Sequence, residues 1–300
     1  MEHRLKLGVK NELLVVFSPI NIPKGKFGFT RFFSDLEQHV LFFNCENTWY
    51  VDCIDEMKSV FEEVVSIHRP NNIVFYGASM GAYAAARIGG QYPKHPTFLF
   101  GPEVKLYTKG SLSEKHATIR REQVNLDHFK NLNFSNTVGL FGIYEPVDML
   151  QYKASLSLNF FAAFPVKSPH AVHEELYYRN LVTPLSRSNS VHEFIENIPE
   201  IIIDNDPPVQ YAEFLHQNFF QRDKNTDSSF LQTILEINHP LGYWVALRKA
   251  LMEKNHDFFR AVCIKLDEYF QVHSPSFSMP NKFKKEMKRI ASLLDLDSQE

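Results

Sequence analysis

Cysteine is scarce in this chain, with three in 300 residues and no CxxC pair among them. A sparse, odd number argues against a disulfide framework and a zinc site, and favours reduced thiols in the cytoplasm. No run approaches the roughly 18 apolar residues that a membrane span needs, and the first residues lack the apolar stretch of a signal peptide. The sequence thus predicts a cytoplasmic protein with no membrane span, metal or cofactor.

Basic charge is also limited, since 32 Lys and Arg face 35 Asp and Glu, for a net charge of −3. No basic stripe is available to neutralise a run of phosphates, so nucleic-acid binding is not favoured. The most basic stretch, residues 282–289, alternates with apolar residues at helical spacing. We interpret it as a solvated helix face.

Short apolar runs alternate with helical patterns over the first two-thirds of the chain. The apolar runs are continuous, which indicates strands buried on both faces, as in a parallel sheet covered by helices. Right-handed crossovers then give a doubly wound α/β sheet. The predicted strands are 13–17, 40–44, 73–76, 97–100, 137–141 and one beginning at 160, and the predicted helices include 31–39, 54–67 and 81–88.

Two segments depart from this alternation. The polar stretch 105–132 lies between the fourth and fifth strands and is interpreted as a lid-like insertion. Residues 205–208 resemble a linker, and the patterns at 242–254 and 257–270 predict an antiparallel helix pair. We therefore predict an α/β domain over 1–204 and a helical C-terminal region over 205–300. A single tetratricopeptide-like hairpin and a plain helical appendage explain that region equally well.

The stretch Gly77-Ala78-Ser79-Met80-Gly81 follows a buried strand and precedes a helix rich in small residues. A nucleophilic serine on an α/β sheet sits at such a sharp turn, where glycines two before and two after it leave room for neighbouring chain. The N-terminus of the helix favours negative charge. We therefore predict Ser79 as a nucleophile and the N–H of Met80 as an oxyanion donor.

A serine hydroxyl needs a base, and the base needs a third group to hold it. In this type of sheet the order is serine, acid, histidine, each after a strand. Glu145 and Asp148 both follow the fifth strand, and Asp148 is favoured over Glu145. His170 follows the sixth strand in a loop before an amphipathic helix, and it is favoured over His173, which lies inside that helix.

The second oxyanion donor is expected in the loop after the first strand. Pro19 has no N–H, so the N–H of Ile20 and the hydroxyl of Ser18 are the two alternatives.

These residues carry a resemblance that covers positions 13 to about 185. The chain resembles the α/β-hydrolase superfamily and, within it, hydrolase-like proteins encoded with bacterial capsule and lipopolysaccharide genes. The stretches that carry it are 43–50, 77–85, 100–104 and 169–172. Ser18-Pro19 departs from the common His-Gly pattern after the first strand.

The resemblance implies an α/β-hydrolase-like, doubly wound, mostly parallel sheet with a helical C-terminal appendage. It also implies an esterase or O-acyltransferase acting on a small-molecule or glycan ester of a bacterial surface polysaccharide, with an acyl donor if it is a transferase. Ser79, Asp148 and His170 match the triad positions. The helical tail implies contact with a protein partner.

Two other functions are alternatives to an acyl-transfer enzyme. A non-catalytic hydrolase-fold protein would bind partners through its helical C-terminal region, but the complete set of Ser79, Asp148 and His170 argues against it. A metal-dependent hydrolase has little support, because no HExxH or similar spacing occurs.

Overall fold

The computed structural model describes residues 1–119, 128–129, 131–220, 233–234, 236–273 and 279–297. Its centre is a seven-stranded sheet in the order β1-β3-β2-β4-β5-β6-β7. The edge strand β1 pairs with β3 in the antiparallel sense, and all other pairs are parallel. The strands are β1 (Glu2–Lys6), β2 (Lys10–Phe17), β3 (Gln38–Asn44), β4 (Asn72–Ala78), β5 (Thr97–Phe100), β6 (Thr137–Gly142) and β7 (Ala162–Val166).

Helices cover both faces of the sheet, as the continuous apolar runs predict. Along β2, Leu13, Val15 and Phe17 belong to one core cluster, whereas Leu14 and Val16 belong to the other. The helices are α1 (Ile54–His68), α2 (Met80–Gly89), α3 (Leu112–His116), α4 (Pro146–Ser155), α5 (Val172–Tyr178), α6 (Val182–Ser186), α7 (Val191–Glu196), α8 (Ala212–Phe220), α9 (Pro240–Met252), α10 (His256–His273) and α11 (Asn281–Asp297). The predicted fold class is therefore confirmed, including the helical C-terminal part.

One prediction of secondary structure was wrong, and one strand was missed. The helix predicted over 31–39 is a series of turns, and the chain enters β3 at Gln38. Carbonyl oxygens that a helix would use accept hydrogen bonds from Lys6 Nζ, at 2.8 Å for Ser34 and 2.8 Å for Leu36. Strand β1 was missed, because its sequence EHRLK is polar and the strand pairs on one side only.

The insertion predicted over 105–132 falls partly outside the described residues, since 120–127 and 130 are not among them. Its described part contains the five-residue helix α3. The lid therefore stays a prediction.

The C-terminal helices pack on the same core cluster as α2. Leu215, Trp244 and Leu266 share that cluster with Tyr83, and Asp204 Oδ2 accepts a hydrogen bond of 2.9 Å from Nε2 of His239, the N-cap of α9. α9 contacts both α10 and α11. The division at residue 204 stays a prediction.

No helix within the described ranges has the length and apolar character that crossing a membrane requires.

Candidate active site

Ser79 lies at a sharp turn between β4 and α2. Its backbone has φ 53° and ψ −122°, a region that side-chain-bearing residues seldom adopt. Its N–H donates to the carbonyl of Phe100 at 2.8 Å, which ties the turn to the end of β5. A Cβ on Gly81 would lie 2.2 Å from the carbonyl oxygen of Phe17, so only glycine fits there. The turn thus holds the Ser79 hydroxyl at the carboxyl ends of the strands.

His170 and Asp148 lie beside this hydroxyl. Ser79 Oγ is 2.9 Å from Nε2 of His170, and Nδ1 of His170 is 2.7 Å from Oδ1 of Asp148. An ionised carboxylate can only accept, so Nδ1 carries the proton and Nε2 is left to accept from Ser79. Both partners of the His170–Asp148 pair are nearly buried, with side-chain exposures of 12% and 8%. The structure thus brings the three predicted residues together in the predicted order.

Burial and charge act in opposite senses on this pair. Burial acts to lower the pKa of His170, but the Asp148 carboxylate outweighs it and holds the pKa above its usual value. Burial raises the pKa of Asp148, and His170 opposes that shift. The imidazole is therefore a stronger base than a free histidine.

Glu145, the alternative acid, binds elsewhere. It is the N-cap residue of α4, and its Oε1 accepts a hydrogen bond from Nζ of Lys282 in α11. Asp148, in the first turn of the same helix, is the carboxylate that contacts the imidazole.

His173 lines the cavity beside Ser79, but its ring serves to pack the core. The ring packs against Phe29 and Phe100, with centroids 4.6 Å and 5.4 Å away, and its Nε2 has no hydrogen-bond partner among the described residues. This burial lowers the pKa of His173 to about 3, so the ring is neutral at pH 7. It acts as a packing residue.

The predicted oxyanion donors occupy different positions around Ser79. Met80 is the first residue of α2, so its N–H has no intrahelical acceptor. Ile20 lines the cavity of about 280 Å³ that opens beside Ser79 and His170. The Ser18 hydroxyl donates to the carbonyl of Phe43 at 2.8 Å and accepts from the N–H of Gly28 at 2.9 Å. Since its one proton is committed, the Ser18 hydroxyl has no proton left for an oxyanion.

The strand order and the turn at Ser79 together decide the fold. A mostly parallel sheet carries a strained serine after β4, an acid after β6 and a histidine after β7. The chain has the α/β-hydrolase fold.

No family model matches this sequence, and no curated protein matches it either. Among solved structures, the α/β-hydrolase chain is similar to the capsule O-acetyltransferase of Neisseria meningitidis serogroup A. The identity is 16%, the coverage 60% of this chain and 90% of that one, and the TM-score 0.44. A variant of that enzyme was solved in complex with CoA.

Two further solved structures show a comparable similarity. One is a serine hydrolase without a lid from Xanthomonas campestris, at 14% identity, covering 66% of this chain and 89% of that one, with a TM-score of 0.42. The other is a glycosylation-associated protein complex from Streptococcus agalactiae, at 15% identity, 58% and 42% coverage and a TM-score of 0.39. Similarity at this level carries no argument about activity.

Two charged residues of this α/β-hydrolase site were missed in the sequence. Glu103 follows β5, is 1% exposed, and accepts from the N–H groups of Leu112 and Ser113 at 3.0 Å and 3.2 Å. Burial raises the pKa of Glu103, and His170, when it is protonated, opposes that shift. The sequence signal that could have identified Glu103 is its position just after the end of a predicted strand.

Lys282 is the second. It is the exception on the helix face 282–289, where Lys284, Lys285, Lys288 and Arg289 are exposed, as expected for a solvated face. Lys282 binds Glu145, and the next residue, Phe283, is fully buried. Nothing in the local sequence pairs Lys282 with a carboxylate 137 positions earlier.

Cys45, Asp52 and Cys53 are the group of described residues with metal-ligand spacing, their donor atoms lying within 4.8 Å of one another. The two sulfurs are 3.6 Å apart, and Cys45 also contacts the Thr48 hydroxyl at 3.1 Å. None of these residues lines the cavity beside Ser79.

Proposed function

We propose that this protein is a serine-dependent acyl-transfer enzyme in which Ser79, His170 and Asp148 form the catalytic triad. The observation that carries the proposal is the unbroken path from the Ser79 hydroxyl through His170 to Asp148, with contacts of 2.9 Å and 2.7 Å. Hydroxyl, base and supporting acid in such contact are the arrangement that nucleophilic acyl transfer requires.

In the first half-reaction, Oγ of Ser79 attacks the ester carbonyl while Nε2 of His170 takes the hydroxyl proton. Asp148 holds the imidazolium that forms. The N–H groups of Met80 and Ile20 donate to the oxyanion of the tetrahedral intermediate, with the N-terminus of α2 adding favourable electrostatics. His170 then protonates the leaving oxygen, and the acyl group remains on Ser79.

In the second half-reaction, His170 takes a proton from an acceptor hydroxyl, which attacks the acyl-Ser79 ester. The bond between the acyl carbon and Oγ of Ser79 then breaks, and His170 returns the proton to Oγ. Water as acceptor gives an esterase, and a sugar hydroxyl gives an O-acyltransferase that needs an acyl donor. The two reactions differ only in which acceptor attacks the acyl-enzyme, so both use the same catalytic residues.

We propose an acylated glycan of a bacterial surface polysaccharide as the substrate. A second cavity of about 740 Å³ adjoins the one beside Ser79, and both are lined by Phe29, His173 and Glu174. Tyr177 and Tyr178 line the larger cavity with exposures of 55% and 53%.

Charged side chains of both signs line the larger cavity together with Tyr177 and Tyr178. Arg187 and Asp35 form an ion pair of 2.6 Å at the larger cavity, and Arg31 and Glu174 also line it. A sugar ring presents an apolar C–H face to aromatic rings and hydroxyls to charged side chains. The smaller cavity, whose lining is mostly apolar, suits the acyl group.

We place the reaction in the cytoplasm. The support is that Cys45, Cys53 and Cys263 are all free, as expected where thiols stay reduced.

The test is covalent labelling with a fluorophosphonate probe, which reacts with activated serines. We expect labelling of the wild type and of Ser59→Ala, a change on the exposed face of α1. Ser79→Ala should abolish labelling. Folded wild-type protein that is not labelled would refute the enzyme and favour an interaction protein acting through its C-terminal helices.

A further inference from the structure

The segment that follows β6 lies between the sheet and the C-terminal helices. The ring of Tyr144 packs edge-on against Phe283 of α11, with centroids 5.6 Å apart, and lies 6.1 Å from Phe270 of α10. Phe283 also packs 4.8 Å from Trp244 of α9. Contacts from α9 and α10 therefore hold the first turn of α11 against the segment between β6 and α4.

Lys282 lies in that first turn, where the positive charge of its side chain is unfavourable. The N-terminal end of a helix carries partial positive charge, and the first turn of α11 contains no acidic residue. The compensation comes from outside the helix, since Nζ of Lys282 contacts Oε1 of Glu145. Lys282 is thus directed at the segment that carries Glu145, and 42% of its side chain remains exposed.

Glu145 connects this cation to the triad. As N-cap of α4, its carbonyl accepts the N–H of Met149 at 3.0 Å, and Asp148 lies in the same turn. Burial acts to raise the pKa of Glu145, but Lys282 and then the imidazole and backbone N–H of His170 hold it below its usual value. The carboxylate contacts the Lys282 ammonium, and the N–H of the preceding residue, Tyr144, donates to the Ser168 carbonyl at 3.1 Å, two positions before His170.

We propose that Lys282 is a positioning residue of the active site, which acts by holding Glu145, and with it the first turn of α4 that carries Asp148, beside the loop that carries His170. This inference rests on the proposed function. It gives the C-terminal helices a role in catalysis, because they place Lys282 at the start of α4.

Among the described residues, Asp148, Glu103, Glu145 and Lys282 act electrostatically on His170, and their charges set the sign of the expected effects. Asp148 comes from α4, Glu103 from the segment after β5, Glu145 from the N-cap of α4 and Lys282 from α11. Removing the Lys282 charge raises the pKa of His170, since a nearby cation disfavours the imidazolium. Removing the Glu145 charge lowers it.

The experiment measures the second-order rate constant for fluorophosphonate labelling of Ser79 against pH, in the full-length protein. Labelling requires neutral His170. The fall of the labelling rate on the acid side, its acid limb, therefore follows the pKa of the His170 imidazole. We expect Lys282→Met to move that limb to higher pH and Glu145→Gln to move it to lower pH, each by roughly 0.5 unit or more. Both should reduce the plateau rate about tenfold.

Lys282→Arg retains the cation, so we expect its plateau within about threefold of the wild type. Lys284→Met, an exposed lysine of the same helix, is the matched control and should change neither limb nor plateau. If Lys282→Met does not fold, the downward shift of Glu145→Gln is the deciding result.

Unchanged acid limbs in the folded variants, or shifts of the same sign for Lys282→Met and Glu145→Gln, would overturn the inference. A wild type that is not labelled at Ser79 is a different result, because it refutes the triad itself.

Discussion

Oγ of Ser79 lies 2.9 Å from Nε2 of His170, although 91 positions separate the two residues. Ser79 follows β4 and His170 follows β7, three strands away in the sheet, or about 14 Å at the usual strand spacing. The loop after β7 must therefore run back over the neighbouring strand ends. Its close approach is visible at Gly142, where a Cβ would lie 2.3 Å from the carbonyl oxygen of Pro169.

Gly142→Ala should displace this loop, because the backbone of Ser168 and Pro169 leaves no space for the added methyl group. We expect a loss of roughly tenfold or more in labelling rate and a destabilisation of about 1–3 kcal/mol. Gly242→Ala in α9, where the nearest atom to the new Cβ is 3.2 Å away, is the control. Denaturant unfolding and probe kinetics measure both effects, and an unimpaired Gly142→Ala enzyme would contradict this account.

Ser79→Gly should make the protein more stable while it removes the nucleophile. The backbone at φ 53° and ψ −122° is strained for serine and relaxed for glycine. After the entropy that glycine adds to the unfolded chain, we expect a gain of about 1 kcal/mol, or about 2 °C in Tm. Ser79→Ala keeps its Cβ and should show no such gain. Calorimetry of the three proteins provides the comparison, and a lower Tm for Ser79→Gly than for Ser79→Ala would exclude stored strain.

The pH dependence of activity should follow the raised pKa of His170. The imidazole must be neutral to take the Ser79 proton, so activity is present above the folded pKa and is lost as pH falls through it. Because Asp148 raises that pKa, we expect the acid limb of kcat/KM to lie above the usual histidine value of about 6.5. Asp148→Asn should move the limb to lower pH and reduce kcat by orders of magnitude. A wild-type limb well below pH 6 would be inconsistent with the pair.

Tyr177→Ala should impair the reaction of substrates that carry a sugar more than the reaction of substrates that carry only the acyl group. Tyr177 lines the larger cavity but not the smaller one beside Ser79. We expect kcat/KM to fall about tenfold for acetylated methyl hexosides and to stay within twofold for 4-nitrophenyl acetate. Tyr211→Ala, at an exposed tyrosine outside both cavities, should leave both substrates unaffected. Equal effects on the two substrates would argue against a sugar site in this cavity.

The sequence by itself determined six of the seven strands and the turn at the centre of the sheet. Continuous apolar runs such as 13–17 predict strands buried on both faces, because the hydrophobicity that drives burial is a property of each strand's own side chains. Gly77, Ser79 and Gly81 predict the turn because local sterics require glycine there. The same local argument failed for 31–39, where distant Lys6 takes carbonyls that a helix would have used.

Only the tertiary structure decided which carboxylate contacts the histidine and what the C-terminal helices contribute. Glu145 and Asp148 lie three positions apart, and no local rule states which one faces a loop that arrives from another strand. Lys282 resembles any lysine on a charged helix until the packing of Phe283 against Tyr144 places it beside Glu145. Such pairings join residues far apart in the chain, so they follow from how the elements pack and not from the pattern of any one of them.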